Sequence, residues 1–150
     1  MSKGVSSIGS CMSFSSTVTA DRTQAQYAGL TAWTQSGEAT NIGDVGPENE
    51  VITFNTVCDG VVNKRMGATN FGQQAIILAY DADNGAQAIV AAKALDKTPL
   101  AVRETLATGD ILYYEAYVAS LKTQVGGSSD FLRAAVTLEI DSPIIEVNAA

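Results

Sequence analysis

VITFNTVCDGVVNKRMGATNFGQQAIILAYDADNGAQAIVAAKAL, residues 51–95, runs from a strand through a glycine-punctuated polar segment into a second strand and a helix. In residues 51–57, Ile52 and Phe54 share one face and Thr53 and Asn55 the other, the period of two that a strand imposes. Residues 58–72 carry Gly60, Gly67 and Gly72 among polar side chains and read as a long loop, with Val61-Val62 as at most a brief hairpin arm. From Gln74 the alternation returns: Gln74, Ile76, Leu78 and Tyr80 oppose Ala75, Ile77 and Ala79. A strand apolar on both sides belongs in the middle of a sheet. Asp83 or Asn84 then caps a helix whose Ala88, Ile89, Ala92 and Leu95 form a stripe facing the sheet.

The flanking sequence continues the β pattern. Residues 12–20 give an edge-strand signal, 21–29 a loop, and 30–33 a short strand or turn ending on the single tryptophan, Trp33. Residues 38–45 alternate imperfectly until Gly43, Gly46 and Pro47. Residues 100–106 and 111–121 form a hairpin turning at Gly109. Leu112, Tyr114, Ala116 and Val118 oppose Tyr113, Glu115 and Tyr117, and Leu100, Val102 and Leu106 share their face with an anomalous carboxylate, Glu104. Such a group needs a partner, or the face is not fully buried. The clearest alternation sets Leu132, Ala134, Val136, Leu138 and Ile140 against Arg133, Thr137 and Glu139, until Pro143 ends it. Seven or eight strands and one helix predict a mainly β fold, a small sandwich or partly open barrel, in a single domain over residues 1–150. A Ser/Gly-rich arm, about residues 1–11, and an apolar tail, about 143–150, would order only against something that holds them.

Composition narrows the function. With 46% hydrophobic and 17% charged residues, the chain can fill one core and has a surface poor in charge, which leans toward contact with other chains. A net charge of −7 repels phosphate backbones and argues against specific nucleic-acid binding. No apolar run is long enough for a membrane span or a signal peptide, so synthesis and folding in the cytosol are expected. Cys11 and Cys58 form neither a CxxC nor a metal-ligand pattern.

No catalytic grammar appears. There is no histidine, which removes Ser-His-Asp and Cys-His chemistry and most metal sites. Phosphate-cradling GxxxxGK and GxGxxG loops are absent too. DADNG, residues 81–85, begins like a calcium loop but has Ala86 where the turn glycine belongs and Ala92 where the bidentate glutamate belongs, so a helix-capping turn is the better reading. Glu48 with Glu50, or Glu38 with Asp44, are acid pairs of the kind glycoside hydrolysis uses, but nothing fixes their separation and no aromatic platform accompanies them. Lys64-Arg65 is the one basic doublet in an acidic chain; it is either solvated or meets an acidic neighbour, for which another copy is the natural candidate. The chain is read as having no enzymatic activity and no cofactor.

GEATNIGDVGPENEVITF, DGVVNKRMGATNFG, YDADNGAQAIVAA, TGDILYYEAYVAS and AAVTLEIDSPIIEV, in that order, resemble the tail tube proteins of bacteriophages with long, non-contractile tails. The resemblance covers residues 27–147. It implies two β-sheets packed around a core with one flanking helix, in hexameric rings whose inner sheets join into a barrel and which stack into a hollow virion tail assembled in the host cytoplasm. Partners would be further copies of the chain, the tape measure protein, and the tail terminator and tail tip proteins, with DNA passing through the lumen and no membrane involved. The segment reaching the next ring corresponds to Asp59, Gly60, Asn63, Lys64, Arg65, Met66 and Asn70, and the C-terminal arm would dock through Ile144, Ile145 and Val147. Polar faces then nominate Glu38, Asn41, Asp44, Thr53, Asn55, Arg103, Thr105 and Glu115 for the lumen. Two departures from the family pattern are Ala86, between Gly85 and Gln87, and Glu104. The rival expectations are the inner tube of a contractile injection or secretion system, told apart by a sheath, and a monomeric β-sandwich binding module.

Overall fold

Strict alternation in the second half of the chain builds the sheet against which the remaining elements rest. A computed structural model describes residues 8–18, 23–30, 33–36, 39–80, 84–128 and 132–148. In chain order the elements are β1 (Cys11–Ser15), α1 (Gln24–Gly29), β2 (Thr34–Gln35), β3 (Ala39–Asn41), β4 (Glu48–Asn55), β5 (Val62–Asn70), β6 (Gln73–Ala79), α2 (Gly85–Asp96), β7 (Leu100–Thr105), β8 (Ile111–Gln124), β9 (Arg133–Ile140) and β10 (Ile145–Val147). The protein is mainly β, with two antiparallel sheets.

The large sheet runs β2-β1-β7-β8-β9-β6-β3. Its long strand β8 pairs with β7 through its first half and with β9 from Ala116 onward. Pro143 has no N–H to give, so pairing lapses after Ile140 and resumes where Ile145 faces Tyr113. Asp141 N and Ser142 Oγ bridge the gap through the Glu115 carbonyl (3.0 Å) and amide (2.8 Å), which makes β10 a continuation of β9 along the same edge. The outermost strands, β2 and β3, have two and three residues, and β8 beyond Ala116 pairs with β9 alone among the described strands.

One face of this sheet carries the main core. Met12, Phe14, Ile76, Leu78, Leu100, Val102, Tyr114, Val136 and Leu138 are at most 1% exposed beneath α2, which contributes Ala86 and Val90. Asn84 caps α2 by accepting from the Ala86 and Gln87 amides at 2.9 and 3.2 Å; the alternative cap, Asp83, lies outside the described residues. The helix is rotated from its expected stripe: Ala86 and Val90 face inward, while Leu95 is 84% exposed. Alanines surround this helix, so its sequence marks no single apolar face.

Behind the sheet lies a smaller cluster. Residues 21–29 were expected as loop, yet Gln24–Gly29 is helical, with Thr23 Oγ1 accepting from Gln26 N at 3.3 Å. Its buried Tyr27 stacks on Tyr113 with centroids 5.3 Å apart and planes 7° from parallel. Trp33, Ala101, Ile145 and Val147 complete the patch.

Residues 58–72 are the main departure from expectation. Val62–Asn70 is a nine-residue strand paired with β4 from Asn55↔Val62 to Glu48↔Asn70, with a bulge between Asn49 and Val51. Gly60 (φ +63) closes the turn, and the Gly60 amide donates to Thr56 O at 3.0 Å. Among the described residues β4 and β5 pair with each other and with no other strand, forming a separate two-stranded ribbon.

Candidate functional site

All eight residues of β4 are exposed, and so are most of β5. Cross-strand register places Val51, Thr53 and Asn55 with Met66, Lys64 and Val62 on one face, and Ile52 and Phe54 with Arg65 and Asn63 on the other. Both faces carry uncovered apolar groups: Val51 is 53% exposed, Ile52 48%, Phe54 43%, Val62 56% and Met66 65%. A half-buried strand keeps its apolar residues on its one buried side; this ribbon has none. Asp59 and Gly60 sit at the solvated turn, and Asn70 closes the base by accepting from Gly72 N at 2.9 Å. Lys64 and Arg65 therefore project from opposite faces of one ribbon. The Arg65 guanidinium lies 5.4 Å from the Phe54 ring centroid and donates to Lys64 O at 2.9 Å.

The expected lumen residues do not share one surface. Glu38 lies outside the described residues. Thr53 and Asn55 are exposed on the Lys64 face of the ribbon. Asn41 and Asp44, both exposed, border a cleft of about 380 Å³ with Ser10, Ile42, Leu106 and Glu104. Arg103, Thr105 and Glu115 lie on the face opposite the main core, in the part that α1, Trp33 and β10 cover. Arg103 is half-buried with its guanidinium 5.0 Å from the Trp33 ring and its buried Nε without a hydrogen bond, and Glu115 is 3% exposed. Alternation assigns a residue to a face without saying what covers that face. The open part of that side lies instead on β8, β9 and β6, where Tyr117, Glu139 and Gln73 are in register and Gln73 Nε2 donates to Glu139 Oε1 at 2.7 Å. Sequence alternation marked this face but could not distinguish its open half from its covered half.

Glu104 is buried, at 6% exposure, on the core side of β7. Desolvation raises its carboxyl above the ordinary carboxylate range, opposed by hydrogen bonding with Gln74 and Tyr114. The Tyr114 hydroxyl donates to Gln74 Oε1, with Glu104 Oε2 3.4 Å away, and Gln74 Nε2 donates to Ile42 O at 3.0 Å. Burial first, and then the charge of Glu104, lift the Tyr114 phenol well above its ordinary value. Ile144 packs on the main core, while Ile145 and Val147 pack on the Tyr27 cluster, all within the same chain. Cys11 and Cys58 are free thiols. Among the described residues no grouping of acids and thiols could hold a metal ion, and no helix is long and apolar enough to cross a membrane.

Residues 10–149 match the sequence model of a family described as phage tail tube protein, TTP. No curated relative matches in sequence. Among solved structures, the chain is similar to one from the six-fold symmetrised baseplate of the anti-feeding prophage, with TM-score 0.74 and 11% identity over 99% of this chain and 98% of that one. A chain of the SPP1 tail tube gives TM-score 0.63 and 11% identity over 93% and 77%. One from the tail of an empty GTA particle, refined helically with C6 symmetry, gives 0.62 and 9% over 80% and 90%.

Proposed function

Because the chain belongs to the phage tail tube protein family, a structural family, we propose that copies of it form hexameric rings that stack into the hollow tube of a phage tail. The ribbon carries this reading. Five large apolar side chains on β4 and β5, between 43% and 65% exposed, lie on both faces of an element that no other described strand joins. An isolated two-stranded hairpin is marginal in water, and apolar groups in that setting call for cover from another molecule. Neighbouring copies supply it, with the ribbon as the element that crosses between subunits, through residues 59–70.

In the assembled tube the open polar face of β6, β8 and β9, bearing Tyr117, Glu139 and Gln73, faces the bore. The acidity of the chain, −7 per copy, keeps passing DNA from adhering to that wall. Before ejection the bore is filled by a tape measure protein, and the ends of the tube meet terminator and tip proteins. The inner tube of a contractile injection system, surrounded by a sheath, is the second reading, and cross-sections of native particles separate the two. The primary test is negative-stain imaging of the purified chain at rising concentration. Hollow filaments of uniform bore are expected; uniform small particles at high concentration, with no ring in the native virion, overturn the reading.

A further inference from the structure

Arg65 sits half-way along the ribbon, opposite Ile52 and roughly 13 Å beyond Glu48 at about 3.3 Å per residue. It forms no ion pair with a described residue, and one donor goes to the Lys64 carbonyl, leaving most of its planar fork open. Stacking on Phe54 orders the side chain before any partner arrives.

The cleft between β7, residues 41–44 and Ser10 has the complementary deficit. Among the described residues, Glu104 at its back is buried without a counter-charge and Asp44 stands exposed at its rim with no ion pair. Ile42 and Leu106 form apolar walls, and Asn41 adds a further acceptor. We propose that the Ile52–Phe54–Arg65 face of one copy's ribbon lies on the next copy, with the Arg65 guanidinium in this cleft between Asp44 and Glu104. This pairing rests on the tube reading and names the receiving surface for the ribbon.

The energetics favour this partner. Removing a carboxylate from water is the expensive part of a buried ion pair, and for Glu104 folding has already imposed that cost. A neighbour's cation adds attraction without desolvating that carboxylate further. Arginine suits the place because its planar, weakly hydrated fork can span two carboxylates, which a lysine ammonium does poorly. Ile52 and Phe54 then rest against Ile42 and Leu106. Lys64, on the opposite ribbon face, takes no part.

The test is a charge-reversal cycle read as critical concentration for polymerisation at low salt, with circular dichroism melts to verify folding. Close interfacial ion pairs couple strongly, so Arg65→Glu and Asp44→Arg each raise the critical concentration about tenfold or more, while the double variant returns to within about threefold of wild type. Lys64→Glu, the same charge change on the other face, shifts it by less than about threefold. Glu104→Gln weakens polymerisation while raising the melting temperature of the unassembled chain, opposite signs that a purely structural carboxylate does not give. A double variant no better than its worse parent, or Lys64→Glu as damaging as Arg65→Glu, overturns the pairing while wild-type tubes leave the tube reading intact. Wild-type chain that never polymerises overturns both.

Discussion

Ile52→Thr combined with Phe54→Thr tests whether the ribbon belongs to the interface rather than to the fold. Threonine keeps the β-preference of these positions while removing apolar surface. Ile52 and Phe54 are 48% and 43% exposed, so roughly half of each side chain awaits a partner. Full burial of such a side chain is worth about 1.5–3 kcal/mol, so the uncovered halves contribute about 1 kcal/mol each at the subunit contact. Losing about 2 kcal/mol weakens association roughly thirtyfold. The critical concentration, measured by pelleting over a dilution series, should rise by that factor. The melting temperature of the unassembled chain should barely move, because both residues lie outside the buried clusters. A critical concentration unchanged within about twofold, with tubes of ordinary appearance, refutes the reasoning; the thirtyfold rise itself comes from the burial scale.

Tyr114→Phe takes the hydroxyl from a fully buried position and leaves Gln74 Oε1 without its donor, so urea unfolding should show a loss of about 1–3 kcal/mol. Gly43→Ala forces a side chain onto a φ of +81°, where its Cβ would collide with the Ala75 carbonyl oxygen; soluble yield and melting temperature should both fall sharply. Glu104 binds its proton more tightly folded than unfolded, so its charge destabilises the fold above its folded pKa, and that cost shrinks as pH falls through the folded value and is gone below the unfolded one. Glu104→Gln should accordingly melt above wild type at pH 8 and converge with it near pH 4.

Legibility in the sequence followed burial. β7, β8 and β9 could be read residue by residue because each has one face on the core, and Glu104 stood out as foreign to that face before its tyrosine and glutamine partners were visible. β5 was missed because alternation records a difference between two environments, and VNKRMGATN has the same solvated setting on both sides. α1 was missed because six polar-rich residues anchor through a single tyrosine, too little for a helical period to register. Arg103, Thr105 and Glu115 were assigned to the right face of the sheet, but α1 and β10 come from distant sequence to cover it, and no local pattern reports that.

A ribbon without a core of its own also divides the molecule in time. The eight-stranded body can hold its shape alone, whereas amides across residues 48–70 should exchange quickly with solvent until a neighbour arrives. A freshly made copy then offers other copies little rigid template, and spontaneous clumping in a crowded cell starts slowly. A growing end, with ribbons already clamped, presents the fixed strand that the next arrival copies.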